Sequence, residues 1–477
     1  MQAIDMRSSL QLQRDFRSAS KQCQALKPCS FQDSFGGNRP RASCVDETVG
    51  LGFQAEIGAS PSNDPRTARL TVRHGVDRLV TPSGKTRFRR RRPTRRPPVK
   101  ITGIETYSLS SPLERPFGWS QGWIDRRTVG IVKVSTDEGI VGWGEGAGGP
   151  AAAAVHDVMA PALIGQDPMN RVGLWQKMFA RLYNANVAVG FGGSALSAVD
   201  TALWDIAGKA TGLSVSELLG GRIRDRIAVY ATGLYYTEGE FPTRLLDEAT
   251  GYVEAGFMGM KTKVGGLPMD QDIKRVAELR KAIGPDVKLM IDANQAYNAP
   301  SAIRLGQRVS EHDILWFEEP VNAQDLEGYL QVKAGLPMAI SGGENLRTRY
   351  EFKDFLARRA YDIAQPDVIN VGGITEMRNV AAMANAFGIQ VNPHVWGSPI
   401  MIAASLHVAA SIPPCPPSGD PEPFVQEPVM EFDRTPSGIR EGLVEEPFDQ
   451  IDGYVAVPTG PGLGIEIDER ALARLAD

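Results

Sequence analysis

From residue 226 onward, short apolar runs alternate with amphipathic stretches of helical period. The apolar runs are RIAVYATG, GMKTKVG, VKLMIDAN, ILWFEEP, MAISGGE, YDIAQPD and IQVNPH, and the amphipathic ones include DQDIKRVAELRKAIG and SAIRLGQRVSEH. Each unit takes roughly 25 residues, the length of one strand, one helix and their loops. Strands that are apolar throughout, alternating with helices, predict a parallel sheet covered on both faces. Seven or eight such units over residues 226–440 predict an α/β fold closed into a (β/α) barrel. A doubly wound open sheet is the alternative, but no GxGxxG follows the first strand.

Residues 99–225 have a different pattern. VKITGIETYSL alternates like a strand, and RTVGIVKVSTDEGIVGWGEG reads as a hairpin turning at Thr136-Asp137-Glu138-Gly139. In GGSALSAVDTALWDIAGKATG, Leu196, Val199, Leu203 and Ile206 recur at helical spacing. This part is predicted to be a small α+β unit. SPLERPFGWSQGWIDRR, residues 111–127, reads as a loop within it.

Composition separates residues 1–98 from the rest. They carry 19 Lys+Arg against 8 Asp+Glu, a net of +11, and end in RFRRRRPTRRPP. The remainder carries 33 basic and 48 acidic residues, a net of −15. The basic segment has no sustained period and is expected to be a disordered extension with no part in the chemistry. Three of the four cysteines lie in it without zinc spacing, and only Cys415 lies in the enzyme-sized part. That part therefore has no disulfide framework and reads as cytoplasmic. No apolar stretch is long enough to span a membrane. Neither a nucleic acid nor a membrane is expected as partner.

The candidate chemistry sits where the strands stop. Asp292, Glu318 and Glu344 end three consecutive strands at equal intervals of one strand–helix unit, with Asn294 and Glu319 beside them. Barrel active sites are built at that face. Three converging carboxylates need a cation, and oxygen ligands without His or Cys select Mg²⁺. Capping of the following helices could explain one such acid, but not three at equal spacing. Asp367 and His394 end the next two strands, again one unit apart. A carboxylate on the neighbouring strand would orient the imidazole and raise its basicity, as a general base requires. His156, His312 and His407 fall in helical stretches and are read as structural. Lys261 and Lys263 precede Asp292 by one unit and, as i and i+2 of a strand, face the same side. Two adjacent buried ammonium groups are expected to lower each other's proton affinity.

Taken together, KTK (261–263), IDAN (291–294), FEEP (317–320), GGE (342–344), QPD (365–367) and NPH (392–394), with SAVDTALWDIAGK (197–209) before the barrel, resemble the mandelate racemase subgroup of the enolase superfamily. The resemblance runs from about residue 99 to the C-terminus. It implies a modified (β/α)7β TIM-type barrel over 226–440 with an N-terminal α+β capping domain over 99–225, and a segment 441–477 packing back on the cap. It also implies that Asp292, Glu318 and Glu344 hold Mg²⁺ and that an α-proton is abstracted from a carboxylate substrate through an enediolate. Lys263 would serve one face of the substrate, and His394, oriented by Asp367, the other. Lys261 would offset the carboxylate charge. Glu431 in PVMEFDR matches a family glutamate that hydrogen-bonds the enediolate, with Glu427 as the competing position.

NPHVWGSPIMIAASLHVAA, EPVMEFDRTPSGIREGLVEEP and PTGPGLGIEI are similar to acid-sugar enzymes of D-galactarolactone cycloisomerase type. The implied reaction is then β-elimination or ring opening. The alternatives are a racemase, epimerase or dehydratase of another 2-hydroxy acid, or a barrel that binds a ligand without turnover. Asn294, Trp119 and Trp123 are the expected substrate contacts, with Arg115, Arg126 or Arg127 for a distal carboxylate. A homo-oligomer is expected from the family.

Overall fold

A computed structural model describes residues 99–239 and 241–476, together with a two-rung antiparallel pairing of Leu79–Val80 with Thr86–Arg87. The extension expected over residues 1–98 otherwise lies outside the described residues.

The larger described part begins with three antiparallel strands, β1 (Ile101–Trp119), β2 (Gly122–Thr136) and β3 (Val141–Glu145). The turn between β2 and β3 falls at the expected place, with Gly139 in the left-handed region at φ 76°. Residues 111–127 are not a loop. They are the far half of the β1–β2 hairpin, which pairs through Phe117↔Ile124, Gly118↔Trp123 and Trp119↔Gly122 around a two-residue turn. The tip needs glycine on both strands: a Cβ on Gly118 would lie 2.7 Å from the Trp123 ring, and one on Gly122 2.9 Å from the Trp119 ring. Helices α1 (Arg171–Asn184) and α2 (Phe191–Thr211) cover one face of the sheet. Leu196, Val199, Leu203 and Ile206 of α2 are fully buried there, as their spacing predicts.

Seven strand–helix units and a final strand follow. They are β4 (Arg226–Thr232), α3 (Thr243–Glu254), β5 (Gly259–Lys263), α4 (Met269–Ile283), β6 (Lys288–Asp292) and α5 (Ala299–Val309). The series continues through β7 (Ile314–Glu318), α6 (Leu326–Gly335), β8 (Ala339–Gly342) and α7 (Thr348–Ala357). It ends with β9 (Ile363–Ala364), α8 (Gly373–Ala386), β10 (Gln390–Val391), α9 (Pro399–Ala409) and β11 (Met430–Asp433). The strands pair in parallel in chain order from β4 to β10, with β11 on the other side of β4. A doubly wound sheet would reverse its order, so this is the (β/α)7β barrel. Side chains join the two end strands: the Asn392 side-chain carbonyl accepts Val429 N–H at 3.1 Å and Glu431 accepts Val395 N–H at 3.0 Å.

Strand alternation builds the site. Tyr230, Met290, Trp316, Ile363 and Val429 form an apolar cluster apart from the main core, at alternate positions of β4, β6, β7 and β9 and just before β11. Two residues further along, on the same side, stand Thr232, Asp292, Glu318, Gln365 and Glu431. The barrel thus carries an apolar floor with a polar layer directly above it. The outward positions, such as Val229, Leu289, Ile291 and Phe317, join the main core.

After β11 the chain returns to the N-terminal strands. β12 (Tyr454–Ala456) pairs with β4, Glu469 of α10 (Glu469–Leu475) meets Lys133 of β2 at 2.9 Å, and Leu463 N–H donates to Asp205 of α2 at 2.9 Å. His407 of α9 is a satisfied structural histidine: Nδ1 accepts Ser216 N–H at 3.3 Å and Nε2 donates to the Leu463 carbonyl at 3.1 Å. Burial lowers its pKa to about 4. A depressed histidine adds stability that is present above its unfolded value and is lost as pH falls toward the folded one. Between pH 7.5 and 5 the loss is about 2 kcal/mol from His407. Urea unfolding at the two pH values should show the wild type losing about 2 kcal/mol relative to His407→Gln; an equal pH dependence in the two proteins would contradict it.

Candidate active site

The strand ends bring the eight charged candidate residues into one connected cluster. Lys263 Nζ bonds Asp292 at 2.5 Å, and Lys261 Nζ lies 3.6 Å from the same carboxylate. Lys261 also bonds Glu318 and stands 3.1 Å from Glu431. Glu431 is 3.5 Å from His394 Nε2, and Glu344 is 3.4 Å from it. His394 Nδ1 is 2.8 Å from Asp367. An ionised carboxylate can only accept, so Nδ1 carries the proton toward Asp367 and Nε2 faces the cluster. Asp367 is itself fixed by Ile369 N–H at 2.7 Å. Glu427 stands elsewhere, paired with Arg224 at 3.2 Å, which leaves Glu431 as the eighth-strand acid.

The electrostatics correct one expectation. Burial and mutual repulsion do oppose the two lysine charges, but the carboxylates outweigh them. Lys261 is raised well above its ordinary value by Glu318 and Glu431, and Lys263 is raised by Asp292. The acids divide accordingly. Burial pushes Glu318 up to about 7; Lys261 opposes this, and Asp292, Glu431 and Glu344 add to the rise. Burial acts on Glu431 too, but Lys261 and His394 hold it down at about 2. Burial disfavours the His394 charge, yet Glu344, Glu431 and Asp367 raise it well above the usual imidazole range.

A further layer supports these groups. Gln365 Nε2 donates to Glu318 at 2.6 Å and Trp316 Nε1 at 3.1 Å. Gln365 lies two residues before Asp367 on the same side, a signal the QPD motif contained. Glu319 is buried, adopts φ 39°, and accepts from Gln295 and Asn345 at 3.0 and 3.1 Å. Asn294 donates its N–H to Asp292 at 2.8 Å, and its side-chain Oδ1 is buried without a partner.

The hairpin tip docks on this face. Gly118 and Tyr236 exchange backbone hydrogen bonds of 2.8 and 2.9 Å, Ser120 Oγ donates to the Val264 carbonyl at 2.7 Å, and Gln121 donates to the Asn294 carbonyl. Trp119 is half-buried and Trp123 is 49% exposed. The Trp123 ring lies over Gly118 and the Trp119 ring over Gly122. Of the three candidate arginines, Arg127 is buried against Asp433 at 2.9 Å and stacks on Trp396 at 3.6 Å. Arg126 projects outward beside Asp125. Arg115 lines a cavity of about 370 Å³ with Phe117, Thr237, Arg244 and Pro436, beside the hairpin.

Two family models cover most of the described chain. Mandelate racemase / muconate lactonizing enzyme, N-terminal domain, matches residues 103–220, and Enolase C-terminal domain-like matches residues 244–471. A D-galactarolactone cycloisomerase of Agrobacterium fabrum is 42% identical over 382 residues, 78% of this chain and 98% of its own. The chain belongs to the mandelate racemase/muconate lactonizing enzyme family of the enolase superfamily. It is therefore an enzyme of the cycloisomerase, dehydratase and racemase group. Among solved structures, a 3,6-anhydro-D-galactonate cycloisomerase of Zobellia galactanivorans is 38% identical with a TM-score of 0.70, covering 79% of this chain and 99% of that one. A Streptomyces coelicolor racemase with bound magnesium is 30% identical with a TM-score of 0.70, covering 79% and 100%. Members of the superfamily generally bind Mg²⁺. Among the described residues no three acid, histidine or cysteine groups form a ready-made coordination cluster. Here Lys261 and Lys263 take up carboxylate oxygens of Asp292 and Glu318. The donor set nevertheless suits a hard dication: Asp292 and Glu318 are fully buried, Glu344 stands beside them, and Glu318 and Glu344 are both pushed up by burial and by neighbouring acids.

Proposed function

We propose that this enzyme abstracts the proton α to a carboxylate of an acid sugar or its lactone, and that the outcome is β-elimination with ring opening of D-galactarolactone type. The observation that carries the reading is the unbroken series of contacts Lys263–Asp292–Lys261–Glu431–His394, with a proton-carrying side chain at each end. Asp292, Glu318 and Glu344 would hold Mg²⁺. When bound, the cation would supply positive charge to the substrate carboxylate, making the α-proton acidic enough for a side-chain base.

Each residue then has a defined task. Lys263 and His394 are the proton carriers. Asp367 fixes the His394 tautomer so that Nε2 faces the substrate. Lys261 neutralises carboxylate charge at the centre, and the ionised Glu431 orients Lys261 and His394, which flank it. Asn294 Oδ1, buried and unpaired, is placed to accept from a substrate hydroxyl. Trp119 and Trp123 on the docked hairpin would close over the substrate, and the cavity holding Arg115 suits its distal end. The similarity to D-galactarolactone cycloisomerase supports elimination over racemisation.

The protein is incubated with Mg²⁺ in D₂O with aldarates, aldonates and their lactones, followed by proton NMR. Ring opening of D-galactarolactone to a 2-keto-3-deoxy acid is the expected result. Deuterium at the α-carbon without elimination would replace the reading by a racemase; a 2-keto-3-deoxy acid from another aldonate would make it a dehydratase. No exchange with any acid would overturn it.

A further inference from the structure

We propose that Glu145 and Asp200, two buried carboxylates of the capping domain, are positioning residues for the Asp367–His394 pair. Each accepts hydrogen bonds at the N-terminus of the barrel helix that follows one member of the pair. Glu145 is the last residue of β3. It accepts Ser398 N–H at 3.1 Å on each oxygen, Ser398 Oγ–H at 2.6 Å and Met401 N–H at 3.3 Å, all at the start of α9. Ser398 follows closely after His394 in the chain. Asp200, in the middle of α2, accepts Thr375 N–H at 2.8 Å and Thr375 Oγ1–H at 2.6 Å at the start of α8, shortly after Asp367.

The two contacts are built alike. Each carboxylate reaches its helix over a glycine that leaves room for it: a Cβ on Gly397 would lie 2.5 Å from Glu145 Oε1, and one on Gly373 2.5 Å from Asp200 Oδ2. Burial pushes both carboxyls up to about 7, a cost that a surface acid would avoid. The unpaired N–H groups of a helix start offset that cost.

The segments between dyad and helix are held as well. From His394 onward, Val395 N–H is bound to Glu431, the Trp396 ring lies under Arg127, and Ser398 is bound to Glu145. Before α8, Ser197 Oγ accepts Gly372 N–H at 2.9 Å and Trp175 Nε1 donates to the Gly372 carbonyl at 2.8 Å. Trp204 Nε1 donates to Thr375 Oγ1 at 2.8 Å. The capping domain therefore grips the backbone immediately downstream of both Asp367 and His394. Simple adhesion between two layers would not need a buried carboxyl group at each of these two helix starts. A misplacement of about 1 Å in a reacting group is enough to cost on the order of 100-fold in rate.

This inference rests on the reading of His394 as a base, so the test has two readouts. In the full-length protein with Mg²⁺ and D-galactarolactone, Glu145→Gln and Asp200→Asn are expected to lower kcat at least tenfold with KM changed less than threefold. Glu145→Ala should fall further than Glu145→Gln. Amide hydrogen exchange followed by mass spectrometry should quicken at least tenfold over residues 394–401 in Glu145→Gln and over 368–376 in Asp200→Asn. The strand ends at 288–292 and 314–318 should stay as in the wild type. Unchanged kcat, unchanged exchange in these segments, or loosening spread equally over the barrel would each overturn the proposal. If the wild type turns over no acid sugar, the functional reading fails, and the exchange pattern alone decides the clamp. The two variants act on separate helices, so one that fails to fold leaves the other as the test.

Discussion

Lys263→Ala and His394→Asn are each expected to cut α-proton exchange by about 10²–10⁴-fold, the usual contribution of a positioned acid or base. The two losses have different side effects. Lys263 is one of two cations on Asp292, so removing it leaves that buried carboxylate with the Asn294 N–H and the longer contact to Lys261. The Lys263→Ala protein should therefore melt lower as well as lose rate, because breaking a buried pair exposes the partner's desolvation cost. His394 is the partner of three acids, but its ring reaches the accessible side of the cluster, and asparagine can still donate to Asp367. His394→Asn should melt closer to the wild type than Lys263→Ala does while losing rate. NMR exchange in D₂O and thermal unfolding on the same samples check both halves. Full exchange in either variant would remove that residue from the chemistry. Equal destabilisation of both would contradict the contact geometry.

The strand-end chemistry was legible because it depends on local periodicity. Asp292, Glu318 and Glu344 recur evenly since the two βα units between them have the same length, and strand alternation puts Asp292 and Glu318 directly above the floor residues Met290 and Trp316. The same rule placed Lys261 and Lys263 correctly. It did not give their charge state, because the deciding partners of Lys261, Glu318 and Glu431, stand on β7 and β11, far along the chain. Residues 111–127 read as a loop for a similar reason. Their glycines and charges have loop composition, yet the glycines make room for Trp119 and Trp123 to lie across the strands, and the tip is fixed by Tyr236, Val264 and Asn294. Glu145 gave no signal: it closes an ordinary hairpin, and its donors belong to a helix start that lies at the other end of the barrel's chain order.

Magnesium is expected to stabilise Lys261→Met more than it stabilises the wild type. Lys261 is buried among Asp292, Glu318 and Glu431, and among the described residues no other cation pairs with Glu318. Methionine fills much of the same space without charge. The variant should lose about 3–5 kcal/mol without metal, as buried pairs do when one partner is removed. It should also lose activity, since the centre of the contact series is gone. The removed ammonium had repelled any dication held by the same acids, so the variant's carboxylates should bind Mg²⁺ more tightly. A tenfold gain in affinity returns about 1.4 kcal/mol at saturating metal. Melting curves of both proteins across a Mg²⁺ series measure the difference directly, independently of turnover. A larger upward shift in Lys261→Met places the cation among Asp292, Glu318 and Glu344. Identical shifts would put any bound cation beyond the reach of Lys261 and remove those three acids from the metal site.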